Sequence, residues 1–145
     1  MYYGGMSLAD ISLNLKQEHG YAPSTSTVWD WVSRYTDKAV AHYDQYTPKV
    51  GDTWVVDETV INLDGKRDVW LWDIIDADTR FLLATKMSYT RTIEDAKTVL
   101  ELAKDKAGKS PKIVLSDFHN SYPEAMRQVF GDTTFHEQSK PCYQN

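Results

Sequence analysis

The sequence has little of several features that define whole classes of protein. Its one cysteine, Cys142, excludes an internal disulfide and a cage of thiolate metal ligands, and it favours a reducing compartment. No apolar run approaches the roughly 20 residues of a membrane-spanning helix. The N-terminal stretch MYYGGMSLAD also lacks the basic flank and apolar core of a signal peptide. A cytoplasmic protein without a membrane partner is therefore expected.

An excess of positive charge is also missing. The 145 residues carry a formal net charge of -5, and neither the first 50 residues nor the remainder is basic. Proteins that bind nucleic acid concentrate Lys and Arg where they meet the phosphates, so this charge argues against a chain that binds with its whole surface. A local basic stripe remains compatible with this composition.

The character of the sequence changes once, near residue 48. Apolar residues follow a helical pattern up to about residue 46, then TPKVGD supplies a proline and a glycine, and strand-like runs follow. This change predicts a helical region over residues 1–48 and an α/β domain over residues 49–145.

The first region is predicted to contain two helices, which Ser7 and Ser24 cap at their N-termini. Two short helices around a glycine-containing turn are typical of a helix-turn-helix, although a plain structural hairpin gives the same pattern. The second helix should bury one apolar stripe, formed by Val28, Trp31, Val32 and Tyr35. The candidate residues for DNA contact in this region are Thr25 and Ser26 on the opposite face, with Arg34 and Lys38 further on. So few cations predict a low and salt-dependent affinity for DNA.

The second region is predicted to begin with a three-stranded antiparallel meander. Its strands are TWVVDETVINL, DVWLWDIID and RFLLATKMS, joined by the turns DGKR and DADT. A helix capped by Thr92 and Asp95 follows, then the buried strand KIVLSD, then a helix opened by Ser121 and Glu124. A helix between the meander and the next strand implies a mixed sheet with a parallel pair, and Trp54, Trp70 and Trp72 are expected to pack within it.

Two carboxylates interrupt or end the apolar strands of this region. Asp57 lies in the middle of the first strand, and Asp117 ends the strand that follows the helix. If these strands are neighbours, the two carboxylates lie side by side and repel each other unless they share a proton or a cation. Ligands that are all oxygen favour a hard cation such as Mg²⁺, and such sites perform phosphoryl transfer. Either aspartate alone also has a structural interpretation, since an Asp at a strand end often begins a turn or caps a helix.

The motifs WVVDET, WLWDIID, RT before IEDAKTVLELA, and VLSDFHNSY resemble the core of prokaryotic insertion-sequence transposases of the DDE type. The resemblance implies a ribonuclease-H-like catalytic core preceded by a helix-turn-helix that binds the terminal repeats of the element. It implies that Asp57 and Asp117 are the first two catalytic residues and ligate two Mg²⁺ or Mn²⁺ ions. The implied partners are double-stranded DNA and further copies of the chain.

The resemblance also implies a third carboxylate, a Glu about 35 residues beyond the second Asp, on a helix after a fifth strand. That position falls beyond Asn145, and Glu137 lies in HEQSKPCYQN, which has the pattern of a loop. The sequence is therefore expected to be a truncated transposase with an incomplete sheet and no cleavage activity of its own. Glu58 should point away from Asp57, because side chains alternate along a strand, and is expected to be structural.

Two further residues are candidates for contact with DNA. Arg91 precedes the long helix and would bind a backbone phosphate, and His119 lies close to Asp117. Two functional classes remain open. The first is an enzyme that cuts and joins DNA during transposition, and the second is an inactive remnant that only binds DNA or forms oligomers.

Overall fold

The computed structural model of the protein describes residues 1–63, 65 and 67–139. The chain divides into two units, Met1–Tyr46 and Thr47–Asn145. Cys142, which the sequence analysis used as an indicator of compartment, lies outside the described residues. Within the described part of the chain, no helix is long and apolar enough to cross a membrane.

The first unit is built on two helices. Its elements are a 3-10 turn at Tyr2–Gly4, α1 at Leu8–His19 and α2 at Thr25–Gln45. Both predicted N-caps are confirmed, since the Ser7 and Ser24 side chains each accept a backbone N–H three residues on at 3.1 Å. The predicted apolar stripe is right for Val28, which is buried, and wrong for Tyr35, which is 69% exposed. Because α1 has 12 residues and α2 has 21, α1 covers only part of the longer helix.

The second unit is a five-stranded mixed sheet with two helices. Its elements are β1 Thr53–Leu63, β2 Arg67–Asp76, β3 Leu82–Ser88, α3 Ile93–Ala107, β4 Ile113–Ser116, α4 Ser121–Phe130, a 3-10 turn Gly131–Thr133 and β5 Phe135–Gln138. The strand order is β3-β2-β1-β4-β5. The strands β1, β2 and β3 form the predicted antiparallel meander, and β4 and β5 are parallel to β1. The predicted α/β fold class is confirmed.

The fifth strand was missed, and the interpretation of Glu137 as a loop residue was wrong. Residues Phe135–Gln138 form β5, and Glu137 pairs with Leu115 of β4. This short edge strand is held by backbone hydrogen bonds to its neighbour, including Phe135 N–H to the Lys112 carbonyl at 2.7 Å. Such bonds do not depend on side-chain type, so FHEQ shows little of the alternation that identifies a strand in sequence.

The predicted capping boxes have different outcomes. At α3 the box is confirmed, because Thr92 and Asp95 exchange both side-chain to backbone hydrogen bonds. At α4 it is wrong, because Asn120 occupies the cap position and makes no side-chain cap bond. The two residues assigned to that box have other partners: the Ser121 hydroxyl lies 2.6 Å from His119 Nδ1, and Glu124 pairs with Arg127.

The core lies between one face of the sheet and the helices α3 and α4. The strands contribute Trp54, Val56, Trp72, Ile74 and Val114, and the helices contribute Ala96, Val99, Leu100, Ala103, Tyr122, Ala125 and Met126. Trp54 and Trp72 are completely buried, and Trp70 packs against the edge of this core, which confirms their predicted packing role. The opposite face of the sheet carries Val55, Asp57, Asp73 and Leu115, which are at least partly exposed.

Asp76 holds the turn between β2 and β3. Its buried carboxylate accepts hydrogen bonds from Gly51 N–H at 2.9 Å and from the backbone and hydroxyl of Thr79 at 2.8 and 2.6 Å.

Asp76→Ala should lower the free energy of unfolding by about 2–4 kcal/mol, because buried donors lose their acceptor. Urea unfolding measures this loss. The exposed Asp78 of the same turn is the control, and its Ala variant should change stability by about 0.5 kcal/mol or less. Equal effects of the two variants would contradict the structural role of Asp76.

Candidate active site

Asp57 and Asp117 come together where two parallel strands run side by side. The register of β1 and β4 pairs Val55 with Leu115, and two residues further along the same register lie Asp57 and Asp117. Both line a groove of about 190 Å³, together with Val55, Val56, Leu115, Ser116 and Ser139. Two aspartates that are distant in the sequence therefore share one open groove.

The two carboxylates influence each other electrostatically. Partial burial raises the pKa of Asp57, and the negative charge of Asp117 raises it further, while the positive charge of Arg91 acts in the opposite direction. Asp73 adds a smaller contribution that also raises the pKa. A carboxylate pair of this kind is stabilised by a shared proton or by a bound cation.

Asp117 is fixed at the end of β4 by bonds to its side chain and its backbone. Its Oδ1 accepts the backbone N–H of His119 at 2.9 Å, and its carbonyl oxygen accepts the Ser116 hydroxyl at 2.9 Å and the Gln138 amide at 3.1 Å. The Ser116 hydroxyl also lies 2.8 Å from His136 Nε2. The fifth strand, which the sequence analysis missed, therefore supports the main chain at Asp117, through Gln138 directly and through His136 by way of Ser116.

Arg91 and His119 both lie beside Asp117. The Nη2 atom of Arg91 is 3.5 Å from Asp117 Oδ2. Burial lowers the pKa of His119 and the charge of Arg91 lowers it further, while Asp117 opposes the shift. The Nδ1 atom of His119 contacts Ser121, so this nitrogen is directed towards the start of α4.

A buried charged cluster lies next to the groove, and sequence reasoning missed it. Glu58 forms an ion pair with Arg91 and accepts a hydrogen bond from the Tyr122 hydroxyl. The Arg91 guanidinium also lies 4.6 Å from the centre of the Trp70 ring. These residues come from β1, from the loop before α3, from α4 and from β2, so no local pattern in the sequence connects them.

Asp73 is a third carboxylate that the sequence analysis did not consider. It is paired with Asp57 across β1 and β2, and directly paired residues present their side chains on the same face. Gly65, with φ near +65°, lies at the centre of the hairpin, and counting outward from it aligns Asp57 with Asp73. That count was a usable signal, because a hairpin turn determines the register of its strands.

The other candidates for DNA contact lie in the first unit. Thr25, Ser26, Arg34 and Lys38 are all exposed on α2. Arg34 lies 3.9 Å from Asp30, and the Lys38 ammonium lies 5.6 Å from the centre of the Tyr35 ring. Arg34 and Lys38 also line a pocket of about 120 Å³, together with the aromatic side chains of Trp31 and Tyr35. This helix face therefore combines two cations with an exposed aromatic ring.

The donors at the groove suit a hard divalent cation. Asp57 and Asp117 offer carboxylate oxygens only, and their mutual repulsion would be relieved by such a cation. Two carboxylates would supply only part of a coordination shell, and the described residues contain no group of three or more His, Cys, Asp or Glu side chains that could hold a metal ion. Mg²⁺ accepts a small number of protein carboxylates and completes its shell with water and phosphate oxygens.

Residues 51–145 match the family model of the DDE domain, of the IS240 transposase type. This chain belongs to the DDE-type transposase family. The resemblance inferred from the sequence motifs is thereby confirmed. Polynucleotidyl transfer is the reaction class of the DDE family. No curated protein matches the sequence.

Solved structures with a similar fold include a chain of a viral intasome and a viral integrase core domain. A chain of the simian T-cell lymphotropic virus intasome, solved in complex with PP2A regulatory subunit B56 gamma, aligns with 66% of this DDE protein at 16% identity and a TM-score of 0.53. The HTLV-2 integrase catalytic core domain in complex with magnesium aligns with 61% at 15% identity and a TM-score of 0.53 in its dimeric form. The DDE protein spans 34% of the intasome chain and 61% of the HTLV-2 chain. The likeness supports the ribonuclease-H-like fold.

Proposed function

We propose that this chain carries the catalytic core of an insertion-sequence transposase that cleaves and joins DNA strands with the help of divalent cations. The observation that carries this proposal is the position of Asp57 and Asp117 at one groove, on neighbouring parallel strands of a DDE domain. We propose residues 49–145 as this core and residues 1–48 as a helix-turn-helix that binds DNA. Double-stranded DNA and further copies of the chain are the proposed partners, and the cytoplasm is the proposed location.

Asp57 and Asp117 would hold Mg²⁺ or Mn²⁺. When bound, such ions would lower the pKa of an attacking hydroxyl and stabilise the charge on the leaving oxygen of a phosphodiester, and two ions would serve the complete site. The fit is supported by the oxygen-only donors and by the raised pKa of Asp57, which is caused first by partial burial and then by the charge of Asp117. The backbone N–H of His119 bonds the Asp117 carboxylate and limits its rotation, while Ser116 and Gln138 bond the backbone carbonyl of Asp117 and hold the main chain in place.

Positively charged and polar side chains would orient the DNA. Arg91 is 27% exposed beside Asp117 and would donate to a phosphate oxygen near the reacting bond, and His119 flanks it. Thr25, Ser26, Arg34 and Lys38 on α2 would contact the backbone of the terminal repeat. Because these cations are few and the chain is acidic, its affinity for DNA should be low, and because the contacts are to phosphates it should fall further with added salt.

A second candidate function is DNA binding or oligomer formation without catalysis. It is favoured by the small number of ligands at the groove, since the described residues contain no group of three or more His, Cys, Asp or Glu side chains that could hold a metal ion. Under the first proposal, a Glu from another copy of the chain would be needed to complete the site.

Nicking of supercoiled plasmid DNA in Mn²⁺ separates the two functions. Under the first proposal the protein converts plasmid to the open circle, and Asp117→Asn lowers the rate by at least about a hundredfold, because one metal ligand is lost. Asp68→Asn, the same chemical change at an exposed position of β2, should leave the rate unchanged. Plasmid that is shifted on a gel but never cut would support the second function. Equal nicking by Asp117→Asn and the unmodified chain would contradict the assignment of Asp117.

A further inference from the structure

Glu58 is the most deeply buried carboxylate near the active-site groove. Its side chain is 0% exposed and lies on the opposite face of β1 from Asp57. Oε1 forms an ion pair with Arg91, and Oε2 accepts the hydrogen bond of the Tyr122 hydroxyl. Burying a carboxylate without such partners costs free energy. The ion pair and the hydrogen bond therefore fix the positions of Arg91 and Tyr122 as well as that of Glu58.

Arg91 is shared between two carboxylates. Its Nη2 atom pairs with Glu58 Oε1 and also lies 3.5 Å from Asp117 Oδ2. Arginine and a carboxylate pair most strongly through two parallel hydrogen bonds, which use two nitrogens of the guanidinium. Asp117 receives a single long contact instead, and Arg91 Nε is buried without a hydrogen-bond partner among the described residues. The contact with the Trp70 ring at 4.6 Å holds the guanidinium from a second side.

We propose that Glu58 is a positioning residue, which with Tyr122 holds Arg91 beside Asp117 and prevents it from pairing fully with that carboxylate. Asp117 then remains available to a divalent cation, and the partly exposed Arg91 remains available to a phosphate oxygen. The inference rests on the proposed function, in which Asp117 binds the cation. Glu58 itself touches neither the cation nor the DNA.

The arrangement predicts effects of opposite sign for the two partners. Without the charge of Glu58, Arg91 is free to form the two-bond pair with Asp117, which then competes with the cation and weakens its binding. Without Arg91, Asp117 loses its competing counter-ion, and the cation binds more tightly. Removing Arg91 alone would leave Glu58 buried and unpaired, so Arg91→Gln is best combined with Glu58→Gln.

Mn²⁺ binding to the full chain tests this inference, followed through the EPR signal of free Mn²⁺. Glu58→Gln should weaken binding about three- to tenfold, and Tyr122→Phe should weaken it less but in the same direction. Adding Arg91→Gln to Glu58→Gln should restore at least the affinity of the unmodified chain. Glu94→Gln, at an exposed carboxylate of α3, is the matched control and should leave the affinity unchanged.

The outcomes separate this inference from the proposed function. If the unmodified chain binds no Mn²⁺, the cation site and the inference both fail. If Mn²⁺ binds, Asp117→Asn abolishes binding and Glu58→Gln leaves it unchanged, only the inference fails. A further loss of affinity on adding Arg91→Gln would show that Glu58 supports the fold alone. If Glu58→Gln does not fold, Tyr122→Phe decides: unchanged Mn²⁺ affinity in that variant overturns the inference.

Discussion

Asp57→Asn is expected to weaken Mn²⁺ binding at least about tenfold and, without metal at pH 7, to make the protein more stable by about 0.5–1 kcal/mol. The first effect follows from the loss of a carboxylate ligand at the groove. The second follows from the raised pKa of Asp57, because partial burial and then the charge of Asp117 disfavour its ionised form. The gain is small because the Asp57 side chain is exposed and solvent screens its charge.

The sign of the pH dependence follows from the same shift. Since the pKa of Asp57 is higher in the folded state, folding favours its protonated form. Its favourable contribution is complete below the unfolded pKa of about 4 and is lost as the pH rises through the higher folded pKa. The stabilisation by Asp57→Asn should therefore be present at pH 7 and absent at a pH of about 3.

Urea unfolding at both pH values, with Asp68→Asn as the control, measures this dependence. Asp68 is exposed on β2, where the same change should have little effect at either pH. An Asp57→Asn variant that is less stable than the unmodified chain at pH 7 would show that the carboxylate pair does not strain the fold. A gain of equal size at both pH values would show that its cause is not the charge.

Trp72→Ala is expected to lower the free energy of unfolding by about 3–5 kcal/mol. The indole is completely buried, lies edge-to-face with the Tyr122 ring at 6.0 Å and donates a hydrogen bond to Ser88 at 2.8 Å. Its removal would leave a large cavity between the sheet and α4. Urea unfolding followed by near-UV circular dichroism measures the loss in the second unit.

Trp72→Phe separates the contributions to this loss. It keeps an aromatic ring beside Tyr122 and removes the hydrogen bond to Ser88, so it should cost less than Trp72→Ala. The alternative role of Trp72, stacking on DNA bases, makes a different prediction. In that case Trp72→Ala would reduce DNA binding and leave the stability nearly unchanged, which would contradict the packing role.

The parts of the fold that could be predicted from the sequence are those with local signals. The meander was visible because its strands are rich in β-branched and aromatic residues, and α3 was visible because Thr92 and Asp95 begin it. β5 was missed because its pairing with β4 depends on backbone bonds from a distant segment. The exposure of Tyr35 was missed because it depends on how far α1 extends along α2.

The residues of the candidate site also differ in whether the sequence could predict them. Asp57 and Asp117 could be predicted as site residues because a carboxylate within or at the end of an apolar strand is unusual. The strand order then brings both residues to one groove. Glu58 was expected to point away from Asp57, and it does, but alternation along a strand does not identify what lies on the other side. Its partners, Arg91 and Tyr122, come from separate elements and are recognisable only once the sheet and helices are assembled.

The parallel pairing of β1 with β4 has a consequence for the order in which the protein folds. The hairpins between β1 and β3 join neighbouring segments, so they can form early and while the chain is still being synthesised. Asp57 and Asp117 meet only after α3 has been made and has crossed the sheet, because β4 follows it in the sequence. Pairings between distant segments form slowly, so the groove between Asp57 and Asp117 should be among the last parts of the domain to assemble. A nascent transposase would then gain its proposed capacity to bind metal only after most of the domain has been synthesised.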